Sequence, residues 1–164
     1  SITSPSVGQV IGSDGKNYDA NATLPDGVKA VAVIAYVGSE TGDDTYKNGL
    51  AIALADEASS NWSTAMSTCG AKTAITGAKW SLPSQDQWKQ MFKANGGNDA
   101  RYTGVNTTIT TAGGTALQEN AFYWSSSEAE SGVLAYRVIL SEGDVILGNA
   151  GEDNDHQVRA CLAF

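Results

Sequence analysis

A chain of 164 residues is sized for one domain with a buried core. At 41% hydrophobic and 17% charged residues its composition is globular rather than disordered. The formal net charge of −8, from 18 acidic against 10 basic residues, argues against nucleic acid and anionic membrane as partners, because phosphate groups select clustered Lys and Arg. No apolar run approaches the roughly 18–20 residues that cross a bilayer, so no direct membrane insertion is expected. One histidine and two cysteines leave little material for a metal site or an imidazole-based enzyme, so the expectation is a non-enzyme with no cofactor, no metal and no catalytic residue. The 18 glycines and abundant Ser, Thr and Asn favour strands and loops over long helices. A start at Ser1 rather than methionine reads as a processed product, and the small polar residues suit an extracellular setting.

In chain order, Ser13-Asp14-Gly15 and Pro25-Asp26-Gly27 are turn formers, with an extended candidate at Gln9-Val10-Ile11. Residues 28–37, VKAVAVIAYV, form a β-branched apolar run of buried-strand length. Residues 38–44 are a loop by composition. Leu50 to Leu54 alternates large and small apolar residues, as a strand packed on one face does. Two helices follow. Ser60 or Asn61 caps the first, whose stripe is Trp62, Ala65, Met66 and Cys69, and Gly70 stops it. The second begins after Trp80-Ser81-Leu82-Pro83 with a capping box from Ser84 to Gln87, carries Trp88, Met91 and Phe92, and ends at Gly96-Gly97.

Residues 98–120 read as a long loop or irregular strands. Strand character returns at Phe122-Tyr123-Trp124, Ala135 to Leu140, Val145 to Leu147 and Val158 to Phe164. Strands, two helices and strands again predict an α+β fold, two helices against small antiparallel sheets with long irregular loops, in a single domain over 1–164.

Cys69 and Cys161 are an even pair. A disulfide closing so long a loop would stabilise by about 4 kcal/mol through loop-closure entropy. Two separate buried thiols acting as small hydrophobes are an equal alternative. Nothing places His156, the one histidine, beside either thiol as a catalytic base. Gly151-Glu152-Asp153-Asn154-Asp155 has calcium-loop composition but not the EF-hand pattern, so a solvated acidic turn is the expectation. His156 is expected as a surface or groove residue. The glycine pairs lack a phosphate-loop context, and the Asn21, Asn61 and Asn106 sequons are common by chance.

The tail carries apolar residues where an exposed strand should be polar. With Val138, Leu140 and Val145 assigned to the core, Arg137, Ile139, Asp144 and Ile146 fall on the opposite face. That face mixes Arg, Ile and Asp without pattern. Scattered surface apolar residues explain it, and so does a displayed binding surface.

Several segments resemble a known family. Trp80-Ser81-Leu82-Pro83-Ser84 with Trp88 is similar to the W-x-L-P-[ST] element of C-type-lectin-fold proteins of gut bacteria and their phages. Tyr123-Trp124-Ser125-Ser126-Ser127-Glu128, then Ala135-Tyr136, Gly143 and Val158-Arg159-Ala160-Cys161-Leu162-Ala163-Phe164, resemble the ending of variable proteins diversified by diversity-generating retroelements. Gly49 to Leu54 and Trp62 fit the same family, so the likeness spans about 28–164.

The resemblance implies a C-type lectin-like fold whose segment 124–164 is a hypervariable face binding a protein or surface ligand. It also implies a bacterial extracellular or cell-surface location, or a phage particle. In such systems error-prone copying at adenines lets AAY codons become many residues, but never Lys, Glu, Gln, Met or Trp. The ligand-binding candidates it gives are Gly132, Val133, Leu134, Arg137, Ile139, Asp144, Ile146, Leu147, Asn149, Asp153, Asn154, Asp155 and His156, all within that set. Glu142, Glu152 and Gln157 fall outside it. The sugar-binding triplets of calcium-dependent lectins are missing, and Ala160-Cys161-Leu162 does not reproduce the reactive thiol context of formylglycine-generating enzymes. A relative of those enzymes and a calcium-dependent carbohydrate module are the alternative readings.

Overall fold

Eleven strands and three short helices make up the chain, and the computed structural model describes all 164 residues. The first sheet contains β1 (Val10–Gly12), β2 (Asn17–Tyr18), β3 (Ala30–Val37), β4 (Gly49–Ala53), β6 (Lys79–Ser81) and β11 (Cys161–Ala163), in the spatial order β2-β1-β3-β4-β11-β6. The second contains β5 (Glu57–Ser60), β7 (Ala121–Glu130), β8 (Leu134–Ser141), β9 (Asp144–Gly151) and β10 (His156–Val158), in the order β5-β10-β7-β8-β9. The helices are α1 (Trp62–Gly70), α2 (Gln85–Ala94) and α3 (Thr103–Thr111).

This corrects the expected α+β class and C-type lectin-like fold. Helix accounts for 17% of the residues and strand for 35%, in two extended sheets rather than small ones. The side-chain pattern understates β7, β8 and β9. Apolar alternation marks only Phe122 to Trp124 in β7, yet backbone pairing with β8 carries the strand through Ser125 to Glu130. Ladder hydrogen bonds are indifferent to side-chain polarity, so a paired strand runs past its apolar stretch.

The long irregular segment is corrected too. Residues 103–111 form α3, although Thr-rich sequence is a poor helix former and no side chain caps it. Packing compensates: Val105 and Ile109, one turn apart, are fully buried. Gly104 is required there, since a Cβ would stand 1.6 Å from the Asn95 carbonyl oxygen. The earlier helices form where their caps lie. Asn61 accepts from the Thr64 amide at the start of α1, and Ser84 and Gln87 close the capping box of α2.

Both faces of the first sheet are covered, so β4 is buried at all five positions and not on one face alone. Leu50 and Ile52 join a core with Trp88, Phe92, Val105, Tyr123, Val138 and Leu140, built from α2, α3 and the inner face of the second sheet. Ala51 and Ala53 point into the other core, with Cys69, Trp80, Leu82, Trp124 and Leu162. All four tryptophan indole N–H groups donate to backbone carbonyls, of Ser125, Thr73, Trp124 and Ser60, so none is left unpaired on burial.

The chain passes between the sheets four times, and two of these passages, after β4 and between β10 and β11, lie side by side. Arg159, fully buried in the second of these two, ties them together. Its Nε donates to Asp56 Oδ1 at 2.6 Å, Nη1 to the Ala53 carbonyl at 2.9 Å and Nη2 to the Thr115 carbonyl at 2.7 Å. Asp56 Oδ2 in turn accepts from Tyr123 Oη at 2.9 Å. Arg159→Met should therefore cost about 3–5 kcal/mol in urea unfolding, because Asp56 loses its ion-pair partner and two buried carbonyls lose their donor. A loss under about 1 kcal/mol would show that the crossings hold without it.

Candidate functional site

The β8–β9 turn sets the register of the second sheet's outer face. Glu142 and Gly143 both have positive φ, +52° and +86°, the geometry of a two-residue type I′ hairpin. Ser141 then faces Asp144, which places Ile139 opposite Ile146 and Arg137 opposite Gly148. On the other side of β8, Ile139 pairs with Phe122 and Arg137 with Trp124. One row across three strands is thus Phe122, Ile139 and Ile146, and the next is Trp124, Arg137 and Gly148. Val138 and Leu140, on the inner face, are fully buried.

The outer face is partly wet and strongly apolar. Phe122 is 39% exposed and Ile146 53%, while Ile139 is half-buried between them. Arg137 lies with Cζ 4.1 Å from the Phe122 ring centroid, and its Nη1 meets His156 Nε2 at 3.1 Å. His156 packs against Trp124, with ring centroids 4.3 Å apart, and edge-on to Phe122 at 5.4 Å. Desolvation pushes the His156 pKa down from 6.5, and the Arg137 charge pushes it further the same way, against a smaller opposing effect of Asp155. A neutral ring can accept from Arg137, so the pair is held by a hydrogen bond rather than split by repulsion.

The thirteen candidate positions do not form one patch. Arg137, Ile139, Asp144 and Ile146 lie on the outer face, with His156 at its base. Leu134, Leu147 and Asn149 alternate to the opposite side of β8 and β9, and Leu147 is 40% exposed because β9 is an edge strand. Gly132 and Val133 occupy the β7–β8 turn and are exposed. Asp153, Asn154 and Asp155 are exposed in the β9–β10 turn, which is tied down by the Asn154 amide on the Gly151 carbonyl. Asp144 is already engaged, 2.6 Å from Arg101. His156, expected as a surface or groove residue, is a correction: it is buried, because Phe122 and Trp124 enclose the ring. Phe122 belongs to the face and was absent from the sequence-based set. Period-two alternation through Phe122-Tyr123-Trp124 carried that signal.

Cys69 and Cys161 are free thiols, which corrects the bridged reading. Strand alternation explains it: Cys161 points into the core of Leu50, Trp88 and Tyr123, and Cys69 lies in the other core, across the first sheet. Burial pushes both thiols up to about 12, so neither is a ready nucleophile at neutral pH.

No group of three or more His, Cys, Asp or Glu side chains gathers in a way that could hold a metal ion. A groove of about 560 Å³ lies beside α1, lined in part by Lys29, Glu57, Lys72 and Trp80. Lys72 is engaged there, 3.2 Å from Glu57 and 4.9 Å from the Trp80 ring centroid. No helix is long and apolar enough to cross a membrane.

The fold is similar to that of a fimbrial protein from Bacteroides ovatus ATCC 8483, whose crystal structure was determined at 1.85 Å, with a TM-score of 0.69 at 15% sequence identity. The likeness covers 98% of this chain and 49% of that one, so the chain spans about half the length of that protein. No protein-family model matches the sequence, and no curated protein matches it. At that identity the likeness establishes shared architecture.

The lowered His156 pKa has a definite sign in folding. The neutral ring is favoured by the native state, so its contribution is complete above 6.5 and is lost as pH falls through the lowered native value. Glu152, whose pKa is raised by burial and by Glu128, acts in the opposite sense, losing stability as pH rises through its native value. Comparing wild type with His156→Gln isolates the histidine. As pH falls below 6.5 the wild-type melting temperature should fall relative to the variant, with a constant difference well above that value. A constant difference throughout would show that the ring titrates alike in the folded and unfolded chain.

Proposed function

We propose that this chain is a non-enzymatic adhesion domain that binds a protein or surface ligand through the outer face of its second sheet and the adjoining β7–β8 and β9–β10 turns. The observation carrying this reading is the row Phe122, Ile139 and Ile146, apolar side chains in register on an uncovered sheet face with Arg137 in the next row. Apolar and aromatic residues grouped with an arginine are the composition of recognition surfaces. The fimbrial neighbour supports a cell-surface setting.

We also infer that segment 124–164 is a retroelement-diversified region. Support comes from the resemblance of the sequence ending and from the exposure of Gly132, Val133, Asn149, Asp153, Asn154 and Asp155 beside a buried Val138 and Leu140. A stable core under solvent-facing positions is the arrangement that tolerates heavy substitution.

Two measurements test these readings. Ile146→Ser should leave the urea midpoint nearly unchanged while weakening capture by cells or surfaces that retain the wild-type domain, whereas Val138→Ser should cost about 2–4 kcal/mol through lost burial and a buried hydroxyl. Equal binding by wild type and the Ile146 variant would remove the outer face from the interaction. Sequencing the DNA downstream of the gene should reveal a near-copy of the segment encoding 124–164 that differs at adenines, beside a reverse transcriptase. A locus with neither would end the diversification reading and leave the adhesion reading standing.

A further inference from the structure

The chain has three arginines, and two of them have a carboxylate. Arg101 pairs with Asp144 and Arg159 with Asp56, each at 2.6 Å. Arg137 has no acidic partner, in a chain with 18 acidic residues. Its Nη1 meets His156, its Nε is buried without a hydrogen-bond partner, and its plane lies against Phe122. A Cβ at Gly148 opposite would stand 3.2 Å from Ile139 Cδ1 and only in ordinary contact, 4.0 Å, with Arg137 Nε. A guanidinium has five N–H donors in a fixed fork, and Nη2, which makes no hydrogen bond within the chain and is not buried, is the group a docked acceptor can reach.

We propose that Arg137 binds a carboxylate side chain of a protein partner docked on this face, with Phe122, Ile139 and Ile146 taking the apolar residues that flank that carboxylate. The proposal rests on the reading of the outer face as the binding surface. The planar fork matches a carboxylate bidentately, and Phe122 and His156 already hold it, so little freedom is lost on binding. A protein ligand fits better than a free anion, because an arginine within exposed apolar side chains has the make-up of an interface hot spot.

Nearby acids do not neutralise the site. Asp144 is engaged by Arg101. Glu128 stands opposite Ala135, two residues along β8 from Arg137, but its carboxylate accepts from the Gly132 amide at 2.8 Å and makes no ion pair with Arg137. Asp155, exposed in the turn beside His156, is the acid closest in sequence to the pair and makes no ion pair with Arg137.

The test is selection of a displayed random-peptide library on the immobilised full chain, followed by affinity measurement on wild type, Arg137→Gln and Ile146→Ser, each checked for folding by thermal melt. Enriched peptides should carry Asp or Glu beside apolar residues. Changing that acid to its amide should weaken binding about tenfold to wild type and less than about twofold to Arg137→Gln, the coupling expected of a direct charge pair. Arg137→Lys, which keeps the charge without the fork, should fall between them and replaces Arg137→Gln if the latter does not fold. Peptides that need Ile146 but no acid would overturn this inference and keep the binding face. Peptides indifferent to both variants, or no enrichment, would overturn the binding face as well.

Discussion

The buried guanidinium of Arg159 is the contact on which the two-sheet arrangement turns. A chain that leaves one sheet and enters another must break both ladders at the crossing and leave carbonyls without donors. This chain crosses twice in one place, after Ala53 and at Arg159-Ala160. One side chain with donors in several directions satisfies Ala53, Thr115 and Asp56 together, and Asp56 also receives the Tyr123 hydroxyl. The cation is far from water, yet its charge is matched by Asp56, and the geometry of the fork selects arginine over lysine.

From that junction the outer face follows. With β10 and β11 fixed on either side of Arg159, β7 pairs with β10 and carries β8 and β9 outward as a meander. The inner face of the meander is committed to the core through Tyr123, Val138 and Leu140. On the outer face, α1 packs against the Trp124 end of β7, while Phe122, Ile139 and Ile146 in the next row stay partly exposed. Strand alternation thus divides one element between two duties: substitutions at Val138 act on stability, and substitutions at Ile139 act on the surface.

Much of this was legible in sequence where the signal is local. The capping box at Ser84 and Gln87 needs only adjacent atoms, and it forms as the spacing indicates. The alternation of Val138 and Leu140 against Arg137 and Ile139 is a property of a single extended strand, and so is Val158, Ala160 and Leu162 against Cys161 and Ala163. What could not be read depended on distant partners. Residues 103–111 are helical because a core receives Val105 and Ile109, not because Thr and Asn favour helix. The length of β7 comes from pairing with β8, and the sheet-dominated class follows from such pairings.

The sequence alone determined the turns, the first two helices, the core face of the tail and the apolar character of its other face, because each depends on the period of the backbone or on a cap within four residues. Only the tertiary structure decided that Cys69 and Cys161 lie in different cores and stay reduced, that His156 is enclosed by Phe122 and Trp124, and that Arg137 alone among the arginines lacks a carboxylate. Those three facts depend on which faces meet across the sheets. Side-chain period assigns a residue to a face, but the crossing held by Arg159 determines what that face meets.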